Sequence, residues 1–294
     1  MTHSIGFVGL GNMGGPMAAN LVRAGHRVTG YDLAEHARER AAGNGVAVAG
    51  SAAEAVGDAD LVITMLPTGR HVLDAYQELT AVARGALFVD CSTIAVGDAR
   101  VAADLARVAG HRAVDAPVSG GVAGAETAGL TFMVGADDTD FADAEPVLAE
   151  MGRRVVHCGA SGAGQAAKIC NNMILGISMI AVGEAFVLGE SLGLSHQALF
   201  DVASTASGQC WALTSNCPVP GPVPTSPANR EYAAGFAAAL MAKDLKLAAD
   251  AAGSAAVPAE LGRRAAELFA SFAQGEAGGL DFSAIITTLR EDSA

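Results

Sequence analysis

The stretch "IGFVGLGNMGGPMAANL", Ile5–Leu21, contains G-x-G-x-x-G as Gly9, Gly11 and Gly14. An apolar run leads into it, and a helical pattern with Pro16 in the first turn comes after; that context gives the string its meaning. Gly9 permits a tight turn, Gly11 lets the backbone approach a pyrophosphate, and Gly14 lets helix and strand pack closely. The new helix offers free N–H groups and a partial positive charge to phosphates, so the loop through Gly9, Gly11, Asn12, Met13 and Gly14 is the expected dinucleotide cradle. A second apolar run ends in "GYDLAEH", which puts Asp32 18 residues beyond Gly14. A carboxylate there accepts hydrogen bonds from the adenine ribose and repels a 2′-phosphate, which predicts NAD rather than NADP. The plainer role for Asp32 is to form the turn at a strand end.

Outward from this stretch, "LVITML", "ALFVDCS" and "RAVDAP" continue the series of short apolar runs, most followed by alanine-rich helical segments. Repeated βα units imply an α/β domain, a doubly wound parallel sheet covered on both faces. In such sheets ligands sit at the carboxyl ends of the strands, so Met65, Leu66, Pro67, Ser92 and Thr93 are expected to face the cofactor. Thr93 also suits an N-cap for the next helix. After "TFMVGA" and "RRVVHCG" the strand pattern stops, and "GASGAG" supplies turn residues. A Rossmann domain over residues 1–162 is therefore expected, then an all-α domain over residues 163–294 opened by one long helix. The run "NCPVPGPVPTSPAN" holds five of the ten prolines and is neither helix nor central strand. It is either a disordered linker or an ordered loop over a site; its place between two helical segments favours the loop.

Composition narrows the classes of partner. Net charge is −13, so the surface repels phosphate backbones and nucleic acid is not expected. Five cysteines without a CxxC, and seven scattered histidines without HxxxH, suggest neither a disulfide framework nor a metal site. The chain enters its first strand without the basic and apolar regions of a signal peptide, which predicts a cytoplasmic protein. The uncharged stretch from Ile169 to Gly183 is short of a membrane span and contains two asparagines, so a buried helix is expected.

Two places carry chemistry. In "DAPVSGGVAGAETAGL", Ser119, Gly120 and Gly121 follow a strand end with no bulky side chain; consecutive backbone N–H groups plus a hydroxyl suit a carboxylate, and a flexible hairpin is the equal alternative. In "GAGQAAKICNNM", Lys168, Asn171 and Asn172 fall at i, i+3 and i+4 and share one helix face. A lone lysine at the end of a core helix would extend its ammonium to water. Three polar groups on one face are more than a core helix needs, since each costs free energy if buried unpaired. With a nicotinamide and a carboxylate site nearby, the face suits hydride transfer, the lysine exchanging a proton with the substrate oxygen. A catalytically silent NAD-binding scaffold would need no such face.

These motifs together, with "TFMVG" and "LMAKDL", resemble the β-hydroxyacid dehydrogenases over the whole chain, and "SGQCW" with the proline-rich run resembles the 3-hydroxyisobutyrate branch of that family. Cys217 between Asn216 and Pro218 departs locally from that run. The resemblance implies that Lys168 is the catalytic acid–base, that Asn172 orients the substrate, and that Ser119, Gly120 and Gly121 hold its carboxylate. It further implies that Lys243 of "KDL" approaches the nicotinamide side of the cofactor, with Phe236 and Asp244 near the same cleft. The implied reaction is NAD-dependent oxidation of (S)-3-hydroxyisobutyrate to methylmalonate semialdehyde, or else a sister reaction on tartronate semialdehyde or another short β-hydroxyacid pair. A homodimer or homotetramer is implied as well.

Overall fold

Strand β1 (Ser4–Val8) sits inside the sheet because its residues have apolar partners on both faces. Ile5 and Phe7 belong to one buried cluster with Leu61, Ile63, Leu87 and Val89; Val8 points the other way and joins Val62 and Phe88 in a second. Side-chain alternation thus gives continuous apolar strands two separate cores. The computed structural model describes residues 2–291; Met1 and residues 292–294 lie outside the described residues.

Helix α1 (Gly14–Arg23) returns the chain from β1 to β2 (Arg27–Tyr31), and α2 (Glu35–Gly43) leads to the short β3 (Ala47–Val48). After α3 (Ala52–Val56) the chain crosses back over β1 to β4 (Leu61–Thr64). It then runs through α4 (Gly69–Leu79), β5 (Leu87–Asp90), α5 (Val96–Val108) and β6 (Arg112–Asp115). The strand order 3-2-1-4-5-6 is parallel throughout and places the switch of direction between β1 and β4. Ligands of such sheets bind outside the carboxyl ends of the strands at that point.

Beyond β6 the sheet departs from the all-parallel expectation. Strand β7 (Val118–Ser119) and β6 both pair antiparallel with β8 (Leu130–Gly135). Only the short α6 (Gly121–Glu126) separates β7 from β8, less chain than the dozen or more residues a parallel return requires. Helix α7 (Asp138–Ala149) then carries the chain to β9 (Gly152–Gly159), again parallel to β8. Helix α5 starts at Val96 with Ala95 as N-cap and no side-chain cap bond. Thr93 is therefore not its cap.

The long helix is α8 (Ala163–Ser191). The chain divides into two compact units between Lys168 and Ile169, within this helix. By length and composition α8 could cross a membrane, but its Met179, Ile180, Val182 and Phe186 belong to the buried cluster of the second unit. That unit is helical: α9 (His196–Ala203), α10 (Trp211–Thr214), α11 (Ala238–Ser254), α12 (Glu260–Phe272) and α13 (Ile286–Glu291), with 3₁₀ turns between them. Its core joins Leu213, Met241, Leu245, Phe269, Phe282 and Ile286 to the α8 side chains.

The proline-rich run is an ordered loop. Cys217, Val219 and Ser226 are fully buried. The Ser226 hydroxyl donates to the Cys217 carbonyl at 2.5 Å, Asn229 accepts from Gly221 N–H and donates to the Val223 carbonyl, and the Tyr232 hydroxyl donates to the Pro218 carbonyl. These bonds replace the ladder that proline denies the segment.

Candidate active site

The cofactor loop is shaped by what its glycines allow. Gly9 has φ +97°, and a Cβ there would stand 2.3 Å from the Met65 carbonyl oxygen. A Cβ on Gly14 would lie 1.9 Å from the Gly9 carbonyl, so these two positions are closed by the fold itself. Gly11 differs: no atom lies within 4 Å of its would-be Cβ. Its backbone is exposed, and no side chain caps the start of α1. An open, uncapped helix N-terminus beside a bare backbone fits a pyrophosphate. Asp32 receives Leu10 N–H on one carboxylate oxygen (2.7 Å) and Ala34 N–H on the other (2.8 Å). It is thus a turn former and a tie to the glycine loop at once, and each oxygen keeps a lone pair for a ribose hydroxyl. Leu33 beside it is 84% exposed and offers no donor to a 2′-phosphate. Arg38, the nearby cation, donates to the Asp32 and Leu33 carbonyls.

Met65, Leu66 and Pro67 leave the end of β4, and Ser92 and Thr93 the end of β5. One hydroxyl joins these loops: Ser92 Oγ accepts from Leu66 N–H at 2.8 Å and donates to Asp90 at 2.6 Å. The same Asp90 oxygen also accepts from the Thr64 hydroxyl and Ser92 N–H, while its other oxygen is buried without a partner. Burial pushes the Asp90 carboxyl up to about 6, against the lowering effect of those hydrogen bonds. At the end of β7, Gly120 (φ +138°) and Gly121 (φ +64°) hold conformations that side chains resist, with Ser119 half-buried before them.

Lys168, Asn171 and Asn172 lie within about one turn of each other on α8. Lys168 is only 6% exposed and Asn172 1%, whereas Asn171 is exposed. Asn171 Nδ2 donates to Asn172 Oδ1 at 3.0 Å, and Asn172 Nδ2 donates to Asp244 Oδ2 at 2.6 Å. Lys243 Nζ stands 3.3 Å from the other Asp244 oxygen, close enough for an ion pair but without hydrogen-bond alignment. The structure therefore brings Asn171, Asn172, Lys243 and Asp244 into one cluster. Phe236 packs edge-on against Phe282, and its backbone N–H donates to Asp281.

Sequence reasoning missed the supports of this face. Asp115, at the end of β6, accepts the N–H of Gly162 and of Gln165 at the start of α8. Gln165, fully buried, accepts from Ile94 N–H and donates to the Ser92 carbonyl. The available signal was the i, i+3 spacing of Gln165 and Lys168.

Comparison with known proteins gives this geometry a family. Residues 4–159 match the NAD-binding domain of 6-phosphogluconate dehydrogenase, and residues 162–289 match the NAD-binding region of NADP-dependent 3-hydroxyisobutyrate dehydrogenase. A probable 3-hydroxyisobutyrate dehydrogenase of Mycobacterium tuberculosis is 58% identical over 288 residues, 98% of each chain. The chain belongs to the 3-hydroxyisobutyrate dehydrogenase family. A solved M. tuberculosis 3-hydroxyisobutyrate dehydrogenase with L-serine superposes at a TM-score of 0.95, with 57% identity, over 99% of this chain and all of the other. Another relative in this family, an NAD-dependent L-serine dehydrogenase of Pseudomonas aeruginosa, is 43% identical over 285 residues, 96% of each chain. As a 3-hydroxyisobutyrate dehydrogenase family member, the protein is an NAD(P)-binding oxidoreductase with a Rossmann domain followed by a helical one.

Proposed function

We propose that the protein oxidises (S)-3-hydroxyisobutyrate to methylmalonate semialdehyde with NAD, a step of valine breakdown. The observation that carries this reading is the α8 face: a lysine almost wholly buried one turn before an asparagine held by Asp244. Taking an ammonium and an amide out of water is costly, and a purely structural helix has no use for them there.

The loop through Gly9, Gly11 and Gly14, with Asp32, would hold NAD, which would supply the hydride acceptor for the carbinol carbon. In its amine form Lys168 takes the hydroxyl proton as the carbonyl forms, and in reduction its ammonium returns it. Asn172 keeps one amide hydrogen for the substrate oxygen while the other is fixed on Asp244. Ser119, Gly120 and Gly121 hold the carboxylate through the hydroxyl and backbone N–H groups, and Lys243 approaches the nicotinamide side of the coenzyme. Phe236 and Asn171 are further substrate contacts in this reading. Asp32 supports NAD over NADP, since its charge is fixed next to the glycine loop and Leu33 offers no compensating donor.

A second substrate is favoured by a specific observation, the L-serine of the solved relative and of the P. aeruginosa enzyme's name. L-Serine shares the carboxylate and β-hydroxyl and differs by an ammonium in place of a methyl. Tartronate semialdehyde and related short pairs are the remaining candidates. We place the enzyme in the cytoplasm as a homodimer or homotetramer with no nucleic-acid or membrane partner. Exposed Ile174 and Leu188 on α8 support self-association, and light scattering would reveal a monomer if that is wrong. The deciding experiment is a substrate panel followed at the NADH absorbance band with NAD and with NADP. Best kcat/KM for 3-hydroxyisobutyrate with NAD is expected; a higher value for L-serine would transfer the assignment.

A further inference from the structure

Gln165 lies in the middle of a chain of hydrogen bonds that runs across the ends of β4, β5 and β6. Its Nε2 donates to the Ser92 carbonyl at 2.7 Å, and its Oε1 accepts from Ile94 N–H at 3.1 Å, so the side chain brackets Thr93. Ser92 in turn fixes Leu66 N–H through its hydroxyl. One side chain thereby ties the loops after β4 and β5 to the first turns of α8. From the other side, Asp115 accepts the Gly162 and Gln165 N–H groups at 2.6 and 2.9 Å. Gly162 has no side chain to cap α8, and the Asp115 carboxylate supplies that cap from β6. The socket is cut to fit: a Cβ on Gly135 or Gly164 would lie within 2.8 Å of the Asp115 carboxylate. Gln165 itself is fully buried, and Lys168 follows it at i+3 on the adjoining helix face.

We infer that Gln165 is a positioning residue for the hydride-transfer step. It sets the distance between the coenzyme-facing loop at Thr93 and the Lys168 ammonium, and Asp115 fixes the rotation and height of the helix that carries both. Hydride acceptor and proton acceptor act on adjacent substrate atoms, so a displacement of about 1 Å between their supports costs on the order of a hundredfold in rate. The inference rests on the reading of Lys168 as the acid–base group.

The test uses the full-length enzyme, NAD, and whichever of 3-hydroxyisobutyrate or L-serine the wild type turns over. Gln165→Leu removes both hydrogen bonds at nearly constant volume. Its kcat should fall about a hundredfold, with NADH dissociation constant and hydroxyacid KM each within a few-fold of wild type. The primary deuterium isotope effect on kcat should rise, because the misaligned chemical step becomes rate-limiting. Gln165→Glu provides the complementary measurement, and the only one if the leucine variant does not fold. Its carboxylate can accept from Ile94 but donates to Ser92 only when protonated. The ratio of its kcat to the wild-type kcat should therefore climb as pH falls. A Gln165→Leu enzyme with wild-type kcat and isotope effect, loss of NADH affinity equal to the loss of rate, or a pH-independent Gln165→Glu ratio would each overturn the inference. Lys168→Ala in the same assay separates the two claims: if it turns over normally, the lysine reading fails; if it is inactive while Gln165→Leu is normal, only the positioning role fails.

Discussion

The loop after β1 and the polar face of α8 solve the same problem, holding a polar ligand, by opposite means. The loop uses backbone: closed glycines at 9 and 14 shape it, and the open one at 11 leaves room. The α8 face uses side chains, and each needs another to hold it: Asn171 holds Asn172, and Asp244 holds Asn172 from α11. A backbone site is specified by residues adjacent in sequence. A side-chain site depends on partners 72 residues apart, as Asn172 and Asp244 are. Backbone cradles should therefore tolerate distant substitutions, and side-chain clusters should not.

The sharpest break of this comparison is at Lys168. Lys168→Ala should lower kcat by about 10²–10⁴ while coenzyme affinity stays near wild type. Lys168→Arg should not rescue it, because a guanidinium keeps its proton at any working pH. Normal turnover by the arginine variant, in a stopped assay or by NADH absorbance, would reduce the α8 face to a structural feature.

Asp90 tests the support beneath both sites. Its carboxyl is raised from 3.8 to about 6 by burial, so the folded state binds this proton more tightly than the unfolded chain. The resulting stabilisation is full below 3.8 and lost as pH rises through about 6, on the order of 3 kcal/mol over the window. The unfolding free energy of wild type minus that of Asp90→Asn should drop by about 2 kcal/mol from about pH 4.5 to about 7.5 in urea titrations. An unchanged difference would mean that Asp90 is not the group titrating.

The two glycines sharpen the backbone half. Gly14→Ala should cost about 1–3 kcal/mol of stability, because its Cβ meets the Gly9 carbonyl. Gly11→Ala should leave the melting temperature almost unchanged and weaken NAD binding about tenfold, since its Cβ enters space a pyrophosphate would use. Equal loss of stability in both variants would show that the loop is not divided into shaping and binding positions. The smallest effect is expected at the ribose. Asp32→Ser with Leu33→Arg should move the NAD/NADP ratio of kcat/KM about tenfold toward NADP, compared in one assay. A wild type that already prefers NADP would end the ribose assignment.

The same contrast decides which features are legible in the sequence. Strands β1, β2, β4, β5 and β6, the glycine-rich turn and the helix that carries Lys168, Asn171 and Asn172 were legible because each is a local pattern. The reversal at β8 was not, since "TFMVG" looks the same in either direction and only the shortness of α6 decides it. β3 and β7 have two residues each, too few for an alternation to register. Thr93 looked like a helix cap because hydroxyl residues are, yet α5 starts three residues later. Asp115 and Gln165 were hidden for a plainer reason: a buried carboxylate or amide is conspicuous only beside the N–H groups that justify it, and those come from other elements.

The division between the two compact units falls between Lys168 and Ile169, inside an unbroken helix. Each residue added to an α-helix rotates the rest of that helix by about 100°. An insertion of one residue after Lys168 would therefore leave every residue type present while swinging Asn171 and Asn172 away from the lysine's face. Recombination between relatives faces the same constraint. Chimaeras joined before Ala163 preserve the angular phase of Lys168 and the asparagines, and those joined within residues 168–172 preserve it only when both parents count the same number of residues.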